Sequence, residues 1–551
     1  MRPRFLSLIA ISCVVPSAVF LLHGCGSSSD NPTQAQNPNL PATSQAGWTT
    51  GDLHVHTIQS DDARTTQTLD TVLDKAFTSY GLDWTAITNH LRSSKYDNNG
   101  ALLTNPVPFA YGMESYEIPR IKALQASGRY TDKTIFSGFE WDMPTHDHLG
   151  VSIFDVTDGK LMSSASAAKE FQYLFTTLED SKFDAADVNK WKTKYPQRFN
   201  STAADALQAI SWLKKNYPDS SFITINHPSR NPGKYTIADF RAMNDMAPAI
   251  MFSIEGMVGN QMEPDRGGYT SSYTDANKPN RVYGGVDAIV AQVGGVWDAL
   301  LGEGRRIWNI ADSDSHFKID DAGNSSGYFP GEYAKNYVWM NDKKAGVNEL
   351  IKSLQSGRMF SVFGDLINAM EFTVSNVSNV SNTGDVKNMG QELKVANGST
   401  VEVTIRFKSP ARNNYEFPAG SGVSGNKAPK VDHVDLIVGD VGSKAAPDSS
   451  AYNVATNPST KVLKRFTSAD WKTDADGYNV IKYQMLVQKN QYLRLRGTNL
   501  GINVADLTDN GEPLADAKIT TTDNPTRHNQ INDRNYASLW FYSNPIFVSV
   551  N

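Results

Sequence analysis

The chain has 551 residues and a net charge of −6, with charges of both signs interspersed and no basic run. That length exceeds one ordinary core and predicts two domains, and the charge pattern gives no nucleic-acid surface. Its two cysteines, Cys13 and Cys25, both lie near the N-terminus, so the body of the chain has neither a disulfide framework nor a cysteine metal site.

In chain order, Arg2 and Arg4 precede an apolar run over residues 6–22 that is too short for a good spanning helix. It ends in Leu22-His23-Gly24-Cys25, which resembles a bacterial lipobox. The resemblance implies that residues 1–24 are a signal peptide and that a lipidated Cys25 anchors the chain to a membrane of the cell envelope. Gly26 after the cysteine favours the outer membrane. Residues 25–47 are rich in Ser, Asn, Pro, Gln and Thr and read as a disordered tether.

From residue 48, short apolar runs alternate with helical patterns. Leu69, Val72, Leu73, Ala76 and Phe77 follow helical spacing, and Gly81 stands at a C-terminal stop. Strands are expected at 84–88, 134–139, 222–225, 249–254 and 307–311, and helices at 204–215, 286–301 and 347–354. This alternation predicts a parallel α/β architecture over residues 48–367. Residues 158–202 and 257–285 break the rhythm and read as long loops shaping a pocket. After residue 368, Val401, Val403, Ile405 and Phe407 alternate with polar residues, a half-buried strand, and similar runs predict a C-terminal β-sandwich over 368–551.

The chemistry is concentrated in the α/β part. His54 and His56 lie two apart on an extended run, so both imidazoles face one side and can grip one metal ion. Of ten histidines, seven lie in this region: His54, His56, His90, His146, His148, His227 and His316. Most stand at or just past the C-terminal end of an expected strand, where active sites of α/β folds are built. Asp62, Glu140 and Asp314 accompany them. Imidazole plus carboxylate without thiolate suits Zn, Mn or Fe, and Glu140 is the natural bridge between two ions.

Together these motifs resemble the polymerase-and-histidinol-phosphatase (PHP) family of metal-dependent hydrolases, over residues 48–365. The resemblance rests on DLHVHT with Ser60-x-Asp62, ITNH ending at His90, GFE ending at Glu140, HDHLGV, Asn226-His227-Pro228 and Asp312–His316. It implies a distorted (β/α)7 barrel holding two or three divalent ions. His54, His56, Glu140 and Asp314 would surround the first, Glu140, His148 and His227 the second, and Asp62, His90 and His316 the third. By the same resemblance His148 is preferred to His146, left as either a substrate contact or, the reading favoured, an exposed loop residue, and Asp314 to Asp312, read as supporting the ligands from behind. Asn89 departs from the family's aspartate before the histidine.

The expected activity is hydrolysis by a metal-bridging hydroxide, since coordination lowers the pKa of water to about 7. The substrate expected is a small phosphate mono- or diester, with Arg230 and Arg64 as candidate cations for its phosphoryl oxygens. Two alternatives stand: the same site acting on carboxylic esters, amides or carbamates, and a non-catalytic binding lipoprotein of the cell surface. The C-terminal region is expected to be structural, shielding one side of the barrel mouth.

Overall fold

The structure, a computed structural model, describes residues 46–262, 265–268, 280–316, 327–378, 385–414 and 427–551. The expected signal segment, Cys25, the expected tether up to residue 45 and part of the 257–285 segment lie outside the described residues.

The N-terminal part is mixed α/β rather than purely parallel. Strands β1 (Gly47–Asp52), β2 (Trp84–Ile87) and β3 (Thr134–Ser137) run parallel in that order. Strands β4 (Phe139–Asp142) and β5 (His148–Thr157) are antiparallel neighbours, and β5 pairs antiparallel with β6 (Ser221–Ile225). Strands β6, β7 (Met251–Met257) and β8 (Trp308–Ala311) are parallel. Strand β9 (Ala334–Met340) then pairs antiparallel with both β1 and β10 (Met359–Phe363). Strands β2, β6, β7 and β8 are buried throughout, which is why they read as continuous apolar runs.

These ladders form two sheets, not one continuous parallel ring. Strands β10-β9-β1-β2-β3 lie in one, and β8-β7-β6-β5-β4 in the other. Two isolated parallel bridges, Val55 with Ser315 and His90 with Glu140, join them. Every residue of both bridges is, or adjoins, a proposed metal ligand.

Two helix and loop expectations change. Residues 158–202 are not a plain loop: they hold the hairpin strand Lys160–Ser163 and the helices Ala165–Phe175 and Ala185–Lys194. The first helix buries Phe171 and Phe175 against Trp141, with ring centroids 5.2 and 6.2 Å away. The helix expected over 286–301 is two short helices, Ala288–Ala291 and Val296–Gly302, separated at Gly294-Gly295. The first expected helix begins at Leu69 under a Thr68 cap and continues as a wider π-helical turn over Asp74–Ser79, ending near Gly81 at φ +69°.

The C-terminal region is strand-rich, but it does not form a sandwich apart from the rest. Strands β11 (Ala369–Asn376), β12 (Ser399–Lys408) and β14 (Asn479–Val487) form one antiparallel sheet. Strands β13 (His433–Asp440), β15 (Gln491–Thr498), β16 (Trp540–Ser543) and β17 (Ile546–Val550) instead extend the first sheet, because β16 pairs directly with β10. Residues Gln45–Asn551 form one compact unit, and the buried faces of all these strands share one core. The boundary drawn at 367/368 therefore falls inside a shared core. An unforeseen helix, Asn524–Ala537, precedes β16.

Candidate metal centre

The chain bends at Leu53 on leaving β1, Val55 makes an isolated parallel bridge with Ser315, and His56 N donates to Ser315 O at 3.0 Å. Leu53 and Val55 turn into two separate apolar clusters, while the imidazoles of His54 and His56 face the same side. Their Nε2 atoms are 3.0 Å apart. Both are aimed by their other nitrogen: His54 Nδ1 lies 2.9 Å from Glu255 Oε2, and His56 Nδ1 lies 2.7 Å from Ser60 Oγ. Such partners fix the ring and present Nε2 as a ligand atom.

Glu140 is the hub, its side chain 1% exposed. Its Oε1 lies 3.2 Å from His54 Nε2, 2.8 Å from His148 Nδ1 and 3.0 Å from His227 Nε2. Its Oε2 lies 3.3 Å from His56 Nε2 and 3.2 Å from His90 Nδ1. Asn226 Nδ2 also donates to Oε1 at 3.0 Å. Asp314 Oδ1 closes the other side, 3.2 Å from His54 Nε2 and 3.3 Å from both His56 Nε2 and His316 Nδ1. Asp62 joins His90 and His316, with contacts of 3.1 and 3.3 Å to their Nε2 atoms.

Four sets of donor atoms lie within 4.8 Å of one another: His54, His56, Glu140 and Asp314; Glu140, His148 and His227; His56, His90 and His316; and His90, Asp142 and His148. The first two coincide with the ligand sets implied for the first and second ions. The third contains His90 and His316, with Asp62 at hydrogen-bond distance from both. The residues fit divalent cations. Asp314 Oδ1 is buried without a hydrogen-bond donor of conventional geometry, and six imidazoles and three carboxylates converge in these sets.

Backbone strain marks the same places. His227 has φ +29° and Asp314 φ +48°, left-handed conformations that cost a non-glycine residue roughly 1–3 kcal/mol. Gly259 permits the second: a Cβ there would lie 2.3 Å from Asp314 Cβ. Gly259 N in turn donates to Glu255, the carboxylate behind His54.

Imidazoles and carboxylates in the centre shift one another. Burial would lower His54, His148 and His316, yet the carboxylates around them raise all three, His148 to about 9. Burial would raise Glu140, Asp314 and Asp62, yet the facing imidazoles hold them well below the carboxylate range. Burial brings His90 down to about 4. Cations entering the centre would replace these protons.

The two candidate arginines differ. Arg230 donates to Asp147 Oδ1 at 2.7 Å and its Nη2 lies 3.3 Å from His148 Nδ1, so it adjoins the cluster. Arg64 is half-exposed in the turn after Asp62, its carbonyl accepting from Gln67 N. His146 is not an exposed loop residue: its side chain is 7% exposed, with Nε2 3.3 Å from Asp239 Oδ1, apart from the cluster. Asp312 accepts hydrogen bonds from Leu53 N at 2.8 Å and Asn336 Nδ2 at 3.1 Å, tying strands together. Asn89 accepts from Thr57 N and donates to Glu117 Oε2 at 2.7 Å, so it locks the backbone beside His56 and His90.

Sequence reasoning missed Glu255, Asp142, Asp147 and Arg92. Glu255 is the one charged residue in the apolar strand MFSIEGM, a legible signal. Asp142 follows Glu140 by two and so shares its strand face; it lies 2.9 Å from His148 Nε2. Arg92 donates to both Asp142 oxygens at 2.7 Å and lies 3.8 Å from Asp62. The ligand histidines are at most 13% exposed, whereas Asp62, Asp142 and Arg92 are 45%, 49% and 34% exposed, so solvent meets the centre on their side.

No family model and no curated protein matches the chain. Among solved structures it is similar to a two-domain protein containing a predicted PHP-like metal-dependent phosphoesterase from Bacteroides vulgatus, at 12% identity and a TM-score of 0.32, over 88% of this chain and 98% of that one. It is also similar to a lesion-specific endonuclease from Pyrococcus furiosus, at 12% identity and a TM-score of 0.30, over 62% of this chain and 69% of that one.

Proposed function

We propose that the chain is a metal-dependent hydrolase of phosphate mono- or diesters, of the PHP type. The observation that supports this most is the sharing of Glu140 between two adjacent donor sets, which suits a pair of ions bridged by one carboxylate. His54, His56, Glu140 and Asp314 would hold one ion, Glu140, His148 and His227 a second, and Asp62, His90 and His316 a third. Zn, Mn or Fe held there supplies Lewis acidity and a water with a pKa lowered to about 7. The two bridges at Val55 and His90 are read as the seam of a distorted seven-stranded barrel.

The chain's own residues supply orientation and charge. Glu255 and Ser60 fix the two N-terminal imidazoles, and Asp142 fixes His148. Arg92 at the exposed side and Arg230 beside His148 place two guanidinium groups where a phosphoryl group would dock. Anchorage to the cell envelope through Cys25 belongs to the same proposal and rests on the motif at 22–25; palmitate labelling that is lost in Cys25→Ala tests it.

Metal-depleted protein reconstituted with Zn, Mn or Fe should hydrolyse p-nitrophenyl phosphate or its bis ester far faster than p-nitrophenyl acetate. His54→Ala should abolish that turnover. Arg92→Ala should raise KM roughly tenfold or more, the worth of one charge-assisted hydrogen bond. Phosphorus-ester turnover at background with every metal refutes the assignment, and turnover of the acetate alone moves it to carboxylic esters.

A further inference from the structure

A cavity of 360 Å³ has no metal-centre side chain in its lining. It lies between the edge strand β3, the hairpin strand Lys160–Ser163, the helix Ile118–Ala126 and the start of the helix Val347–Ser356. Its floor is apolar, from Ile121, Ile135, Phe136, Leu161 and Val347, and its rim is cationic.

The charge is one-sided. No aspartate or glutamate lines the cavity. Lys122, Lys160 and Lys344 are exposed around it, and none of the three makes an ion pair among the described residues. The fourth lysine, Lys133, stands 3.9 Å from both Asp83 and Asp132. The ten-residue helix Val347–Ser356 begins at the cavity, and its cap, Gly346, makes no side-chain hydrogen bond to the first amides. Ser137, 1% exposed, stands on the cavity wall with its hydroxyl engaged by the buried Glu117. Helix amides and ammonium groups favour an anion, and the floor favours a short apolar body.

We propose that this cavity binds a small amphipathic anion, a carboxylate or phosphate carried on a short acyl or aryl group. The volume is within the range of small-ligand pockets. The apolar body would lie over Phe136 and Leu161, with the anionic head between Lys344, Lys122 and the first amides of the helix.

Calorimetric titration of the full chain with octanoate and with octyl phosphate tests this, with octanol and octylammonium as charge controls. One anion at least should bind with one-to-one stoichiometry, and the better of the two identifies the head group. The exposed lysines can be changed without touching the core. The triple variant Lys122→Ser, Lys160→Ser, Lys344→Ser should weaken binding tenfold or more, and Lys344→Ser alone severalfold, while His54→Ala leaves it unchanged. The proposal is overturned if neither anion binds, if octanol binds as well as the anions, or if the lysine variants bind like the wild type. Binding that is lost in His54→Ala belongs to the metal centre and overturns it too.

Discussion

Replacing Glu140 with glutamine keeps the shape of the hub and removes its charge. Each contact of this carboxylate near 3.2 Å is worth roughly 5 kcal/mol with a unit charge at an effective dielectric near 20. A divalent ion feels more, and two of the four donor sets contain Glu140, so two ions should lose most of their affinity. An ion present at a hundred times its Kd stabilises the folded chain by about 2.7 kcal/mol, so two lost ions remove about 5 kcal/mol. Unfolding entropy of about 2.1 cal/mol/K per residue over about 500 residues converts this to a shift of roughly 5 °C in Tm. Calorimetry with EDTA and with added Mn or Zn reads the difference directly. The wild type should gain about that shift on adding metal, whereas Glu140→Gln gains little and elemental analysis shows it depleted. A variant with the wild-type metal content and the full metal-induced shift would refute the hub assignment.

Two further outcomes follow from groups outside the ligand set. Glu117 is fully buried against Asn89, and burial pushes it up to about 8. A raised folded pKa contributes stability that is present at low pH and lost as pH rises from its unfolded value toward 8, so Glu117→Gln should gain Tm over the wild type progressively between pH 5 and pH 8.5, by as much as a few kcal/mol of stability. A pH-independent difference between the two proteins contradicts this. Asn544 Oδ1 accepts the Asn309 N–H at 2.8 Å in a buried position, and Asn544→Ala should cost about 1–3 kcal/mol by orphaning that donor. It should also lower metal occupancy, because the chain continues from Asn309 to Asp314; unchanged metal content would separate the two.

Much of the site was legible because its signals are local. His54 and His56 are two apart on an extended run, and strand periodicity alone puts them on one face. The same rule could have found Asp142 beside Glu140, and a lone charge in an apolar strand could have found Glu255. Arg230 was placed beside the cluster by its proximity in sequence to His227, whereas Arg92, two residues after His90, passed unread because a rim arginine has no periodic signature. The helices within 158–202 were hidden by their polar faces and short lengths. The pairing of β16 with β10 joins Tyr542 to Ser361, nearly two hundred residues away, and alternation within either strand names no partner.

That long-range pairing changes what the C-terminal region is for. It was expected to shield one side of the site, yet its contacts run to the strands that carry the ligands. Between β8 and the first sheet, side-chain amides stand where a ladder would otherwise run: Asn544 brackets Asn309, and Asn336 on β9 accepts from Ala311 N at 2.8 Å and donates to Ala311 O at 2.6 Å. Strand β8 is thereby held on both edges, by β7 on one side and by two asparagines on the other. Asp314 follows three residues after β8, at a left-handed φ that only a firmly held backbone sustains. Arg494 on β15 adds a fully buried ion pair to Asp298, at the helix Val296–Gly302 that precedes β8, and breaking such a pair typically costs about 3–5 kcal/mol. The C-terminal strands thus act as a frame for β8 and, through it, for Asp314 and His316.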